Sequence, residues 1–311
     1  MKDSGMIENA RSVDRAATFI LVAGISFILL PLVIAAITAT QPYETFIEAG
    51  GLSFALGGHF LDNMEKILSE TKLLRQLGNS LAIATIVAIM KVGFCFLAAY
   101  ALVFFEGKFR RALFAVMIAT VMLPLDLRVI TTYQIVANVA MPLNWILDAT
   151  GANWAIEKVA GFRPYFRLSL LDTYFGTAAP IAANCTAVFI FRQFFLTLPK
   201  DLPRAAIMDG AGPIRFMIDI VLPLSKTPIV ATLLFFFVGA WTNYLWPLVA
   251  ASTPDQQTAV VGLARIADSD IDEIPQVPLL MAGALFVSFI PVAMIAVMQR
   301  QIVRGLNLSS R

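Results

Sequence analysis

Two groups of residues in this chain could do chemistry. Lys91, Asp126 and Arg128 are ionisable side chains inside otherwise apolar stretches. A polar segment, Asp201-Leu-Pro-Arg-Ala-Ala-Ile-Met-Asp-Gly210, stands between long apolar stretches and is followed by Ile220-Val-Leu-Pro223. An ionised group in hydrocarbon is costly and usually faces a cavity or a partner. The Arg128 guanidinium is a planar fork that matches phosphate oxygens, whereas Lys91 is a point charge. Asp126 lies two positions from Arg128, about 200° around a helix, where it is poorly placed to neutralise it. The chemistry these groups suit is attracting or guiding an anion, with Arg128 the stronger candidate. Two readings compete with it: an ion pair with an acid on another helix, and a guanidinium that snorkels to the outer interface.

Catalytic and metal chemistry find little support. Cys95 and Cys185 sit in separate apolar spans and His59 stands alone in a loop, so they read as packing residues and a solvated histidine. No phosphate loop, His-Glu-x-x-His or nucleophile with its base is present in the sequence. The expectation is therefore a non-enzymatic chain with no cofactor and no metal.

The elements that must position these residues follow from composition. The chain of 311 residues is 59% hydrophobic and 14% charged, with a mean hydropathy of +0.78. That is too much apolar surface for a water-soluble core, and it predicts an all-α polytopic membrane protein. An apolar helix needs about 20 residues to cross roughly 30 Å of hydrocarbon. Stretches near Ala17 to Ala39, Leu77 to Phe105, Ala112 to Val136, Thr173 to Phe195, Pro228 to Ala251 and Val277 to Met298 meet that length, which predicts six transmembrane helices. The alternating segments of a membrane β-barrel are absent from the sequence. The first apolar run exceeds a signal-peptide core and is read as an anchored helix.

Lys and Arg are about twice as frequent on the side that holds the N-terminus, which places both termini and the polar segment in the cytoplasm. The organisation expected is a cytoplasmic tail over residues 1–15, a transmembrane domain over 16–300 and a cytoplasmic tail over 301–311. Within that domain lie the polar loop 199–224 and an outer insert 142–172. The net charge of +2 gives no reason to invoke nucleic acid. No period of 20 to 50 residues suggests a solenoid.

Local chemistry predicts a helical hairpin in the polar loop. Asp201 is expected to N-cap a helix with Pro203 in its first turn, and Gly210 to close it in the left-handed conformation. Pro213 then opens a second helix that Pro223 ends. The bland alternative is an amphipathic hairpin lying on lipid. Pro124 is expected to kink the helix bearing Arg128. Trp241, Asn243, Tyr244 and Trp246 suit either a cavity or an aromatic belt, with Asn243 and Tyr244 assigned to the cavity. In the outer insert, Trp145, Trp154, Phe162, Tyr165 and Phe166 mix with Lys158, Arg163 and Arg167, as in an interfacial helix or a docking surface. Lipid contact is the simpler reading. The acidic run from Asp268 to Glu273 is read as solvated.

The pattern Arg204-Ala-Ala-x3-Gly210-x9-Ile220-x-Leu222-Pro223 resembles the E-A-A-x3-G-x9-I-x-L-P cytoplasmic loop of permease subunits in bacterial ABC importers. Ala98-Ala-Tyr-Ala-Leu102, Met122-Leu-Pro124, Trp241-Thr-Asn-Tyr-Leu-Trp-Pro-Leu248 and Val303-Arg-Gly-Leu306 are similar to the carbohydrate-uptake branch of that family. Met122 to Val129, Phe191 to Pro199 and Asp219 to Lys226 resemble its sn-glycerol-3-phosphate importers.

The resemblance implies a second permease subunit, two ATP-binding subunits and a periplasmic solute-binding protein as partners, in the inner membrane of a bacterium. It implies coupling to the ATPase through Arg204, Ala205, Ala206, Asp209, Gly210, Ile220, Leu222 and Pro223. On the chemistry of the residues themselves, the substrate path is expected to take in Arg128, Lys91, Asp126, Asn243 and Tyr244. This sequence departs from the pattern at Arg204, where the family has Glu, so the usual attraction is reversed. It also has Thr242 where Asn usually follows the Trp. Glycerophosphodiesters, a neutral sugar or oligosaccharide, a secondary transporter and a non-transporting scaffold are the competing readings. The scarcity of intramembrane ionisable groups argues against the secondary transporter.

Overall fold

A computed structural model describes residues 4–51, 54–122, 125–182, 185–268 and 276–307, and its regular elements are all helical. Pro124, most of the acidic run 268–273 and the side chain of Asp126 lie outside the described residues. Contacts divide the chain into two compact units, residues 1–73 with 263–288 and residues 74–262 with 289–311.

The first unit opens with the continuous helix Ser4–Thr38. Every side chain from residue 14 to residue 33 is exposed, Phe19 and Phe27 among them. An apolar surface of this kind needs lipid or another protein around it. The helix ends in a polar knot, in which the Asn63 amide donates to the carbonyls of Ala39 and Gln41, each at 3.0 Å.

In the second unit the helix Leu73–Phe104 is long and apolar enough to cross a membrane unbroken. At 1.5 Å per residue its 32 residues run about 48 Å. Asp14–Thr38 and Val277–Met298 pass the same criterion, and two bent helix pairs would raise the number of spans to five.

The stretch expected to cross as one helix from Ala112 to Val136 is instead interrupted. It comprises Arg110–Val121, a 3-10 turn Leu125–Arg128 and Val129–Ala137. The other middle stretches are broken too. Tyr174–Ala182 and Thr186–Thr197 meet at 51°, and Pro213–Leu224 and Lys226–Trp241 at 75°. Lys226–Trp241 stops before Leu245–Ala250. Proline explains two of these breaks, because its ring clashes with the carbonyl four residues earlier. Pro228 would meet Leu224, where one helix ends, and Pro247 would meet Asn243, which lies in the gap. Hydropathy reports the length of an apolar run and is blind to such interruptions.

The core of this unit is aromatic at one end. Phe96 packs edge-on against Phe191 and Phe195 at 5.5 and 5.2 Å between centroids, and Phe104 packs against Phe216 at 5.2 Å. Such edge-to-face pairs add to the area they bury.

Candidate functional site

Three helix breaks contribute to one cleft of about 370 Å³. The break after Val121 supplies Arg128, the helices on either side of the break after Ala182 supply Pro180, Ile181 and Thr186, and the break after Trp241 supplies Asn243. The unbroken helix adds Lys91, and Phe236 faces it. Non-helical backbone at membrane depth is tolerated where protein buries it or where it lines a cavity.

The electrostatics of the cleft are one-sided. Lys91 is 8% exposed, and its Nζ sits 4.3 Å from the centroid of the Phe236 ring. The Nε of Arg128 and the Oδ1 of Asn243 are buried and make no hydrogen bond among the described residues. No Asp or Glu is among the described lining residues. Arg128 also lines a second cavity of about 330 Å³ with Thr132, Val136, Phe175 and Gly176. A Cβ on Gly176 would overlap the Leu170 carbonyl, so only glycine permits that approach.

A polar clasp, not singled out from the sequence, holds the neighbouring segments. Asn79 donates to the carbonyls of Asp255 and Gln257 at 2.8 and 2.9 Å and accepts from the Tyr174 hydroxyl at 2.8 Å. Asp172, at φ 57°, accepts from the backbone N–H groups of Ser252 and Thr253 at 2.7 and 3.0 Å. The indole of Trp246 donates to the Thr177 carbonyl at 3.0 Å. These bonds fix Leu245–Ala250 and so aim Asn243. The one available signal was Asn79 and Gln76 at the head of an apolar run, since buried amides must find partners.

Of the residues assigned to a path, Lys91, Arg128 and Asn243 come together in the cleft. Tyr244 does not line it and is 41% exposed. The helix gap that turns Asn243 in carries the next residue away. The aromatic-belt reading of Trp241 and Trp246 is corrected. Both are buried in protein, Trp241 stacking on Phe237 and Trp246 on its hydrogen bond. Arg128 sits at the end of its 3-10 turn, as the residue before Val129–Ala137, and not deep in an uninterrupted helix.

The polar loop holds two helices separated by a turn. Asp201–Met208 is followed by Gly210 at φ 72°, and Pro213–Phe216 opens the return. Two details correct expectation. Lys200 holds the cap position and Asp201 is already helical, its carboxylate 3.8 Å from the Arg204 guanidinium. The carboxylate remains in the first turn, where the helix dipole favours it. Pro223 does not end the second helix, which runs on through a π turn, Met217–Val221, to Leu224. The wider turn accommodates the ring, and Pro223 falls early in the next α turn, where a missing N–H costs little.

The hairpin has two faces. Ala206, Phe216 and Val221 are buried, and the Tyr100 hydroxyl donates to the Pro213 carbonyl at 2.7 Å. Ile220 is half-buried. On the other face Ile207, Met208 and Ile214 are 71, 87 and 70% exposed, and Ala205, Asp209, Gly210, Leu222 and Pro223 are exposed with them. Ala205 and Ala206 thus point to opposite environments.

In the outer insert, Asn138 and Asn144 bond the backbone of Phe166 and Leu168, and Asn153 of Ala152–Ala160 donates to Asp148 of Met141–Ala149. The Arg163 guanidinium, 2.8 Å from Asp148, and then the Asn153 amide hold the Asp148 carboxyl below the usual range. Cys95 and Cys185 form no disulfide among the described residues. Among the described residues no group of three His, Cys, Asp or Glu could hold a metal ion.

Comparison with known proteins places this geometry in context. Residues 91–307 match the family model described as "Binding-protein-dependent transport system inner membrane component". The chain is 34% identical to the sn-glycerol-3-phosphate transport system permease protein UgpE of Agrobacterium fabrum, covering 97% of this chain and 98% of the relative. It is 33% identical, with the same coverage, to the protein of that name from Pectobacterium atrosepticum. Among solved structures, a chain of a bacterial ABC transporter involved in the import of the acidic polysaccharide alginate superposes with a TM-score of 0.70. The identity there is 18%, over 94% of this chain and 97% of that one. A chain of the alginate transporter in complex with its alginate pentasaccharide-bound periplasmic protein gives a TM-score of 0.61 at 12% identity, over 97 and 98%.

Proposed function

We propose, from the premise that this chain belongs to the family of binding-protein-dependent transport system inner membrane components, the permeases of ABC importers, that it carries sn-glycerol-3-phosphate inward as one of two permease subunits. The full-length similarity to permeases of that name supports the substrate. The observation that carries it within this chain is the cleft. Two cations with no acid beside them among the described residues, and a buried guanidinium N–H without a partner, suit an anion better than a neutral sugar. Arg128 and Lys91 are its path residues together with Asn243. Tyr244, also taken from the sequence, stands outside that cleft, and the assignment of Asp126 to the path rests on the sequence alone.

The mechanism divides labour between subunits. A periplasmic binding protein delivers substrate, and two partner subunits bind and hydrolyse ATP. This chain supplies six spans, counting each interrupted stretch as one, with both termini and the hairpin in the cytoplasm. The exposed face of the hairpin, with Arg204, Ala205, Ile207, Met208 and Gly210, docks on an ATP-binding subunit. Its buried face, with Ala206 and Phe216, passes the displacement to Tyr100 and Phe104. Docking and ATP-driven closure shift the permease between inward- and outward-facing states only through their different affinities for the two.

The test is uptake of labelled glycerol-3-phosphate and of maltose by vesicles holding the complete importer and ATP. Phosphate-ester uptake that requires both ATP and this chain is the expected result. Uptake of maltose alone would retain the importer and discard the substrate.

A further inference from the structure

Lys91 is the most buried of the described cations, and among the described residues no hydrogen bond or ion pair holds it. Its ammonium lies against an aromatic ring face. A ring face holds an ammonium more weakly than a phosphate oxygen does. Across the same cleft lie the Nε–H of Arg128 and the Oδ1 of Asn243, a buried donor and a buried acceptor without hydrogen-bond partners among the described residues. Unpaired buried polar groups are costly, and two at one cavity beside a buried ammonium have a common explanation if a polar ligand completes them. The volume, about 370 Å³, is at the small end of ligand pockets.

From this juxtaposition, and resting on the reading of the chain as a phosphate-ester permease, we infer that the cleft is a transit binding site for a glycerol phosphomonoester. The phosphate is held between the Arg128 guanidinium and the Lys91 ammonium, and Asn243 Oδ1 accepts a hydrogen bond from a glycerol hydroxyl. Lys91 moves between the Phe236 face and the phosphate. The ring keeps the cation in place at little cost and takes it back when substrate leaves, which suits a site that must bind well enough to admit its cargo and weakly enough to release it. Helix breaks supply Arg128 and Asn243 and the unbroken helix supplies Lys91, and irregular backbone at that depth is tolerated where it lines a cavity.

The experiment uses the whole importer, this chain with its partner permease, ATP-binding subunits and binding protein, in proteoliposomes with labelled sn-glycerol-3-phosphate. It reads substrate molecules moved per ATP hydrolysed, because a merely damaged fold lowers both rates together. Lys91→Gln is expected to lower that ratio about tenfold, as loss of one charge-assisted hydrogen bond should. Lys91→Arg should bring it back to within about threefold of wild type, since it restores the charge. A ratio in Lys91→Gln equal to that of wild type overturns the proposal. If Lys91→Gln does not assemble with its partners, Arg128→Lys decides on the same readout, because it keeps the charge and loses the fork. A fall supports the site, and an unchanged ratio overturns it. A wild-type importer that moves no glycerol-3-phosphate overturns the substrate reading first and this site with it, a failure distinguishable from the others because it precedes any substitution.

Discussion

Arg128 and Arg204 are the same side chain put to opposite uses. Arg128 lies against two cavities with its Nε buried and unbonded, whereas the Arg204 side chain is 83% exposed and sits 3.8 Å from a carboxylate one turn away. Low dielectric magnifies the charge of the first, and solvent screens that of the second. The cleft therefore concentrates its energy in a few polar atoms. The hairpin spreads its own over apolar contacts, with Phe216 and Ala206 inward and Ile207, Met208 and Ile214 outward. Substitutions that exchange these conditions test whether the difference is real.

The largest effect is expected where charge is forced into the apolar face. Ala206→Glu buries a carboxylate beside Phe104 and Phe216, which should cost roughly 3 kcal/mol or more and detach the hairpin from its base. A lowered thermal midpoint of the purified chain in detergent is the measurement. A midpoint equal to that of wild type would mean that the buried face does not anchor the hairpin.

Next in size is Arg128→Gln. Removing the fork should reduce binding-protein-dependent uptake of glycerol-3-phosphate about tenfold or more. Stability should not fall with it, because an unpartnered buried donor is removed. Unchanged uptake would end the assignment of Arg128 to the path. A parallel fall in the thermal midpoint would make it a structural residue like Ala206.

A smaller and purely structural effect separates the hairpin's anchor from its cargo-facing neighbours. Tyr100→Phe deletes the 2.7 Å bond to the Pro213 carbonyl and leaves the ring packing on Phe104. A loss of about 1 kcal/mol is expected from urea or thermal titration in detergent. ATP hydrolysed per substrate moved should stay constant. A changed ratio would show that this bond takes part in coupling as well as in anchoring.

These two regions were unequally legible in the sequence. The hairpin could be read because its turn chemistry is local: Gly210 does take the left-handed conformation and Pro213 does open the return helix. The errors there are errors of one position, Asp201 for Lys200 at the cap and Pro223 for Leu224 at the end. The cleft is assembled from positions 87, 91, 128, 180, 181, 186 and five between 235 and 243, which no periodicity connects. Cost in hydrocarbon pointed to Lys91 and Arg128 singly. It could not say that they share a cavity, nor that Phe236 stands over Lys91. Apolar runs also concealed the breaks. Pro228 and Pro247 marked two of them, had the clash four residues back been weighed against run length. Tyr244 was chosen by residue type, and geometry one residue past a helix gap turned it away.

The smallest expected effect is the sharpest test of the comparison, because it separates folding from docking at Arg204. The guanidinium and the Asp201 carboxylate are exposed and three residues apart on one helix, so Arg204→Ala should change stability by less than about 0.5 kcal/mol. Arg204→Glu brings back the family's carboxylate, but places it near Asp201, where like charges repel mildly. If the ATP-binding subunit has compensated for this chain's arginine with an acidic residue, Arg204→Glu should weaken co-purification of that subunit much more than Arg204→Ala, and the excess should shrink as salt is raised. If Ile207, Met208 and Ile214 carry docking instead, the two variants should retain the subunit equally, and Met208→Asp should release it. Equal retention would place Arg204 at the opposite extreme from Arg128, a charge whose removal neither the fold nor the partner registers.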